Sequence, residues 1–362
     1  MKEILVKLKD RSYKIAVDQN SLNSIGSVVK KLKIGDTAII ITSKNIKTLY
    51  GNSVQKSLLK TGIETRFELV SIGEKAKSVS AFTTVINNIS TFDVFKKPFI
   101  IALGGGTIGD LAGFVASVYK RGIPYLQIPT TLLAQVDSSI GGKVAIDLPS
   151  AKNMVGSFYQ PKYVLVDVSC LKSLSKNLLI DGLGEVVKYG IIESPFIFEN
   201  LEKYSTQILN LNTKKLAHIV YECAKIKARI VEKDEFDKKD KRIVLNLGHT
   251  IGHAIETAGK YNKYTHGNAV SLGIIAASYI SKEMNILSEK NFIRICNVLR
   301  NLKLKTKLKN ISIFKIIDAY KHDKKFINKV NRLVLPVAIG KVKVVDNVPD
   351  KLILQAMHEL IS

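Results

Sequence analysis

Four runs of apolar, largely β-branched residues recur through the first half of the chain. They are TAIIITS from Thr37 to Ser43, PFIIAL from Pro98 to Leu103, PYLQIP from Pro124 to Pro129 and KYVLVD from Lys162 to Asp167. Each has the length of a strand and little of the polar alternation that a half-exposed strand shows, so both faces are expected to be buried, as in a parallel sheet covered by helices. Helix-length segments separate the runs, among them SVSAFTTVINNISTF and GDLAGFVASVYKRG. This alternation is the βαβ rhythm of a doubly wound α/β domain. After about residue 175 the character changes: from Leu178 to Tyr320 apolar residues recur at helical spacing with no strand series. The expected organisation is an α/β domain over 1–175 and a mostly helical domain over 176–362, in close contact and sharing a cleft. Near the end, NRLVLPVAIGKVKVV predicts a hairpin turning at Gly340, before a last helix from about Asp350.

At 362 residues the chain has the length of about two domains, and 46% hydrophobic residues supply packed cores. Its cysteines, Cys170, Cys223 and Cys296, lie far apart without CxxC pairing, which argues against a disulfide framework and suits a reducing cytoplasm. The opening MKEILVKLKD alternates like a strand and lacks a signal-peptide core. The most membrane-like stretch, Phe99 to Val118, is interrupted by Gly104 to Gly106 and by Asp110, so a strand, turn and buried helix are expected rather than a span. Lys+Arg 55 against Asp+Glu 31 leaves a net charge of +24. The lysines are dispersed and aromatics are only 7%, so a solvated basic surface is expected rather than a nucleic-acid interface.

Four segments carry chemistry. LGGGTIGD follows a strand and precedes a helix, and Gly104, Gly106 and Gly109 satisfy GxGxxG. Glycines there let backbone approach a pyrophosphate at a helix start, although a turn built only for packing has the same sequence. Next, IPTTLLAQVDSSIGGKVAIDLPSAKNMVGSF places Thr130 and Thr131 just past a strand end, with Asp137, Lys143, Lys152 and Asn153 in or near turn-rich sequence. These hydroxyls, glycines and lysines suggest an anion pocket. In GLGEVVKYG, Glu185 and Lys188 share one helical face among apolar neighbours. Finally, LNLGHTIGHAIET sets His249 and His253 four apart, on one face of a helix, with His266 nearby. Glu185, His249 and His266 would make the three-ligand set of a catalytic zinc if their helices converge. Spacing alone leaves open whether both of the first two histidines, one or neither hold a metal.

Together these segments resemble the 3-dehydroquinate synthase family. The motifs GGGTIGDLAGF, RGIPYLQIPTTLLAQVDSSIGGK, KNMVG, GEVVKYG, RIVLNLGHTIGHAIE and HGNAV occur in family order over about residues 70 to 340. The resemblance implies a dinucleotide-binding α/β domain followed by a mostly helical metal- and substrate-binding domain. It implies conversion of 3-deoxy-D-arabino-heptulosonate 7-phosphate into 3-dehydroquinate and phosphate, a shikimate-pathway reaction using NAD and a divalent metal, zinc or cobalt. The implied course is transient oxidation by NAD, phosphate elimination, re-reduction, ring opening and aldol closure, so that NAD is regenerated.

Carried over position by position, the metal is expected at Glu185, His249 and His266, with His253 facing the substrate instead. NAD contacts are expected from Glu74 and Lys77 in GEKAK, from Gly105, Gly106, Thr107, Gly109 and Asp110, from Thr130 and Thr131, and from Lys143, Lys152, Cys170, Leu171, Lys172 and Ser173. Substrate contacts are expected from Asp137, Lys143, Asn153, Lys188, Lys227, Arg242, Asn246 and His253, with Lys324 or Lys325 joining the phosphate site. Two anionic ends on the substrate explain the number of cations. Arg121 matches an arginine that reaches the neighbouring subunit's phosphate site, which implies a homodimer. The chain departs from the family pattern at Ser43, where many relatives carry Asp, and at Asp181, where Asn is frequent. In DEFDKKDKR it is one residue longer than some relatives, which leaves the alignment of Asp237 open. A related sugar-phosphate cyclase, a glycerol-type polyol dehydrogenase and a basic nucleic-acid binder are the competing readings.

Overall fold

The computed structural model describes residues 1–91, 93, 96–149, 151–326 and 331–361, with the side chains of 323–326 outside that description. Its contacts divide the chain into two compact units, Met1–Leu174 with Leu216–Phe236, and Ser175–Lys215 with Asp237–Ser362.

The first unit is built on a seven-stranded sheet of order β1-β2-β9-β6-β5-β3-β4. Its strands are β1 (Lys2–Val6), β2 (Tyr13–Asp18), β3 (Thr37–Ser43), β4 (Glu64–Val70), β5 (Pro98–Gly104), β6 (Tyr125–Pro129) and β9 (Tyr163–Asp167). Only the β1–β2 pair is antiparallel. The four apolar runs of the sequence are β3, β5, β6 and β9, the interior of the sheet. Successive residues of β3 serve opposite faces, and Ile39, Ile40 and Ile41 are all fully buried. Ala38 and Ile40 pack with residues of α1 (Ile25–Leu32) and of the helical stretch formed by α2 (Lys44–Ile46) and α3 (Asn52–Leu59). Ile39 and Ile41 pack with residues of α4 (Val79–Ser90) and α5 (Gly106–Val118). Helices therefore cover both faces, and each buried isoleucine contributes roughly 1.5–3 kcal/mol of burial.

Two features depart from the sequence reading. The stretch around Lys143 to Asn153 is not mainly turn: β7 (Lys143–Leu148) and β8 (Ala151–Phe158) form an antiparallel hairpin. Residues 216–236 group with the first unit, whereas a linear division at 175 would leave them in the second. Contacts to the first unit account for this: Lys227 Nζ lies 2.8 Å from Asp137 Oδ1, Glu232 accepts the Lys7 amide at 2.7 Å, and Glu235 pairs with Arg11 at 2.9 Å.

The second unit is mostly helical. It contains α6 (Lys176–Ile192), α7 (Pro195–Leu209), the first residues of α8 (Thr213–Lys233), α9 (His249–Ala258), α10 (His266–Glu283), α11 (Glu289–Asn301), α12 (Ile313–Phe326) and α13 (Asp350–Glu359). The expected hairpin is β10 (Arg332–Ala338) and β11 (Lys341–Asp346), with Gly340 at φ +85 in its turn. No helix among the described residues is long and apolar enough to cross a membrane.

Helix α10 crosses its neighbours at backbone contact. A Cβ on Gly273 would lie 1.8 Å from the Gly248 carbonyl oxygen, a backbone atom that cannot rotate away. Overpacking a core costs about 1–3 kcal/mol even where side chains can yield. Gly273→Ala is therefore expected to destabilise the second unit by about 3 kcal/mol, seen as a lower thermal unfolding midpoint; an unchanged midpoint would count against so close a crossing.

Candidate functional site

In the second unit, three helices bring three ligands together. Glu185 lies in the middle of α6, His249 is the first residue of α9, and His266 is the first residue of α10. The Nε2 atoms of His249 and His266 each lie 3.4 Å from Glu185 Oε1, and one potential ligand atom from each residue falls within 4.8 Å of the others. Each histidine also has an acceptor near its other ring nitrogen. His249 Nδ1 is 3.2 Å from the Leu247 carbonyl, and His266 Nδ1 is 3.4 Å from Glu256 Oε2. A proton held on Nδ1 leaves Nε2 bare and aimed at the centre, the arrangement of metal-ligating histidines.

The electrostatics agree with a cation-binding centre. Burial pushes His249 down to about 3, aided by the Lys188 charge, so its imidazole is neutral. Burial also acts against protonation of His266, yet hydrogen bonds to Glu185 and Glu256 raise it to about 10. Two carboxylates thus draw a positive charge to this point. Glu185 is fully buried and pairs with Lys188, itself 2% exposed, so the intrahelical pair expected from the sequence is present and deeply placed. The carboxylate and two imidazoles suit zinc or cobalt in donor type and number.

His253 shares the helical face of His249, with ring centroids 5.3 Å apart, but it stands outside the converging trio and is exposed. Arg242 is buried and Asn246 exposed in the turn leading to α9. Lys324 and Lys325 have side chains outside the described residues. Glu256 was not singled out in the sequence, although it lies seven residues after His249, two helical turns along the same face.

In the first unit, the carboxyl ends of β5, β6 and β9 point the same way, where open α/β sheets bind ligands. Gly105 precedes α5 without any side-chain cap, leaving first-turn amides of Gly106 and Thr107 open to an anion. The glycines divide their work. A Cβ on Gly109 would meet Gln127 Oε1 at 2.7 Å and one on Gly104 would meet Ile108, so these two serve packing. At Gly105 and Gly106 a Cβ would come within 3.0 Å of the Thr131 side chain and 2.8 Å of Ser138 Oγ, so these two bring the helix start against the segment after β6. Thr130 is buried, and its amide donates to the Gly104 carbonyl at 2.9 Å.

A polar network joins several of the expected nucleotide contacts. Buried Lys77 donates to Asp110 Oδ2 at 2.7 Å and to Asn153 Oδ1, and it lies 3.8 Å from Asp147; Lys152 lies 3.2 Å from Glu74. Burial pushes Asp110 up to about 6, while Lys77 pulls it the other way. Asn153, expected at the substrate, is thus brought to Lys77. Lys143 is exposed, with its Nζ 5.9 Å from the Phe158 ring. Lys227 binds both the side chain and the carbonyl of Asp137. Cys170, Leu171, Lys172 and Ser173 form a turn after β9, where Tyr50, unnoticed in the sequence, donates to the Cys170 carbonyl at 2.9 Å and contacts Ser173 Oγ. Ser43 ends β3 buried, opposite Val70 of β4. Arg121 is exposed in a turn where Lys120, Arg121 and Gly122 all have positive φ (48, 65 and 121), a costly backbone for two non-glycine residues.

Comparison with known proteins agrees with this geometry. The model of the 3-dehydroquinate synthase N-terminal domain matches residues 68–181, and that of the C-terminal domain matches 182–326. The chain is 40% identical over 345 residues to the 3-dehydroquinate synthase of Caldanaerobacter subterraneus, covering 95% of this chain and 97% of that protein. It is 40% identical over 360 residues to that of Desulforamulus reducens, covering 99% and 100%. A crystal structure of 2-deoxy-scyllo-inosose synthase complexed with carbaglucose-6-phosphate, NAD+ and Co2+ superposes with a TM-score of 0.88 at 26% identity, covering 99% of this chain and 100% of that one. Matched along both halves and 40% identical to a named synthase over 95% of its length, the chain belongs to the 3-dehydroquinate synthase family.

Proposed function

We propose that the chain is an NAD- and metal-dependent 3-dehydroquinate synthase, a phosphate-eliminating lyase acting on 3-deoxy-D-arabino-heptulosonate 7-phosphate. The observation that carries this reading is the convergence of Glu185, His249 and His266 in a chain 40% identical to named synthases. When bound, NAD would accept and return a hydride, while a zinc or cobalt ion would favour the alkoxide of the reacting hydroxyl.

The residues of the chain have distinct tasks in this reading. Glu185, His249 and His266 hold the metal, and Leu247 and Glu256 keep the two imidazoles turned toward it. Gly105, Gly106, Thr107 and the hydroxyls of Thr130 and Thr131 leave room and donors for the pyrophosphate; Glu74, Lys77, Asp110 and Lys152 serve the same cofactor from the neighbouring network. In the second unit, Lys188, Arg242, Asn246 and His253 are proposed substrate contacts; in the first, Asp137, Lys143, Asn153 and Lys227 are. Lysine and arginine answer the carboxylate and phosphate of the substrate, and exposed His253 offers an imidazole to carry a proton. A homodimer in which Arg121 reaches the partner's phosphate site, in a cytoplasmic setting, completes the proposal.

Cofactor stoichiometry tests the reaction class. Turnover of the heptulosonate phosphate is expected to require NAD and release phosphate while NADH stays constant; NADH accumulating mole for mole with product would indicate a dehydrogenase.

The two histidines of α9 are expected to fail differently. His249→Ala removes a ligand, so bound metal and activity fall together. His253→Ala keeps near-stoichiometric metal while turnover drops by about 10²-fold or more. Elemental analysis read beside phosphate release separates them, and equal metal loss in both folded variants would make His253 a ligand as well.

For the shared site, Arg121→Ala is expected to lose activity while retaining metal and NAD. Mixed with Lys143→Ala under verified subunit exchange, it should regain part of the activity through hybrid dimers with one intact site. No recovery would place Arg121 outside the partner's site.

A further inference from the structure

Helix α10 begins with His266, and its first turn is not capped by its own N-cap side chain. The N-cap residue Thr265 makes no capping bond; its hydroxyl instead accepts from the side chain of Asn268 at 2.8 Å. The amide of Gly267, in the position a cap normally satisfies, donates to Asp181 Oδ1 at 2.6 Å. Asp181 belongs to α6 and is 7% exposed. It stands four residues before Glu185, so the two carboxylates leave α6 on the same face, one turn apart. One meets the start of α10 and the other meets His266 Nε2 at 3.4 Å.

The backbones meet at the same place. A Cβ on Gly267 would lie 1.8 Å from the Asp181 carbonyl oxygen, and one on Gly184 would lie 2.6 Å from the Gly267 carbonyl oxygen. Glycines allow the approach, but contact between bare backbones does not by itself set the rotation of α10 about its axis. A charge-assisted hydrogen bond to one first-turn amide does, and an anion at a helix N-terminus is favoured by the helix dipole as well.

We propose that Asp181 is a positioning residue for the metal centre: by capping α10 from α6 it fixes the aim of His266 at the point that Glu185 and His249 share. The inference rests on the reading of those three residues as metal ligands. Asp181 touches neither substrate nor metal, and acts through the backbone of Gly267. The working element is an oxygen acceptor at this position, so an amide side chain in place of the carboxylate retains it.

The test is the zinc affinity of the full-length protein, measured by competition with a chromogenic chelator, for the unmodified chain, D181L and D181N. D181L, similar in volume but without an acceptor, is expected to bind zinc about 10- to 100-fold more weakly, the range for loss of groups that orient ligands. D181N is expected to stay within about threefold of the unmodified chain, because its carbonyl oxygen can still accept from Gly267. If D181L cannot be obtained folded, D181S, too short to span to the amide, takes its place with the same expectation. Equal zinc affinity in D181L and the unmodified chain would overturn the proposal, as would equal losses in D181L and D181N. An unmodified chain that binds no zinc would overturn the metal site and this inference together, a result distinct from either of those.

Discussion

The second unit depends on α10 touching its neighbours backbone to backbone. Gly267 meets Asp181 and Gly184 of α6, and six residues further on, Gly273 meets Gly248 at the start of α9. At contacts this close there is no room for side chains to adjust, so the crossings set how near the helices that carry His266, His249 and Glu185 come to one another. Gly248 has φ +78, a conformation glycine adopts without strain, and it delivers the chain into α9 with His249 first. Helix spacing is thus written in the crossings, while Leu247, Glu256 and Lys188 bear on how the three side chains are turned within it.

The strand order of the first unit was legible only in part. Near-continuous apolar runs identified β3, β5, β6 and β9, because strands buried on both faces carry apolar residues at every position. The edge strand β4, ETRFELV, mixes charged and apolar residues, and its half-exposed pattern gave no comparable signal. The β7–β8 hairpin was hidden for a different reason: its glycines and lysines have turn composition, and exposed β8 has little apolar periodicity. The grouping of 216–236 with the first unit depends on pairs such as Lys227 with Asp137, ninety residues apart, which local pattern cannot show.

The site was legible in residue type before it was legible in space. Two histidines at helical spacing could not choose between a shared metal and separate roles, since both geometries share one face. In the structure three helices turn Nε2 of His249 and His266 toward Glu185, and His253 falls outside that group. Conversely, the glycine motif serves close packing on two sides: Gly104 and Gly109 lie against Ile108 and Gln127, whereas Gly105 and Gly106 bring the helix start against Thr131 and Ser138. The +24 net charge, prominent in composition, says little about the buried positions. Lys77, Lys188 and Lys227 are each set against a carboxylate, so three conspicuous lysines are locally balanced.

The backbone crossings at Gly267 and Gly273 carry a consequence for metal choice. Ligands held by helix contacts are assembled before any ion arrives, so binding requires little folding and does not mould the cage to one guest. A carboxylate and two imidazoles accept several divalent ions of similar size, and intrinsic affinity then follows the general order of the first-row metals. Such a rigid but chemically permissive seat moves selectivity out of the protein, to whichever ion the surrounding medium offers in greatest free supply.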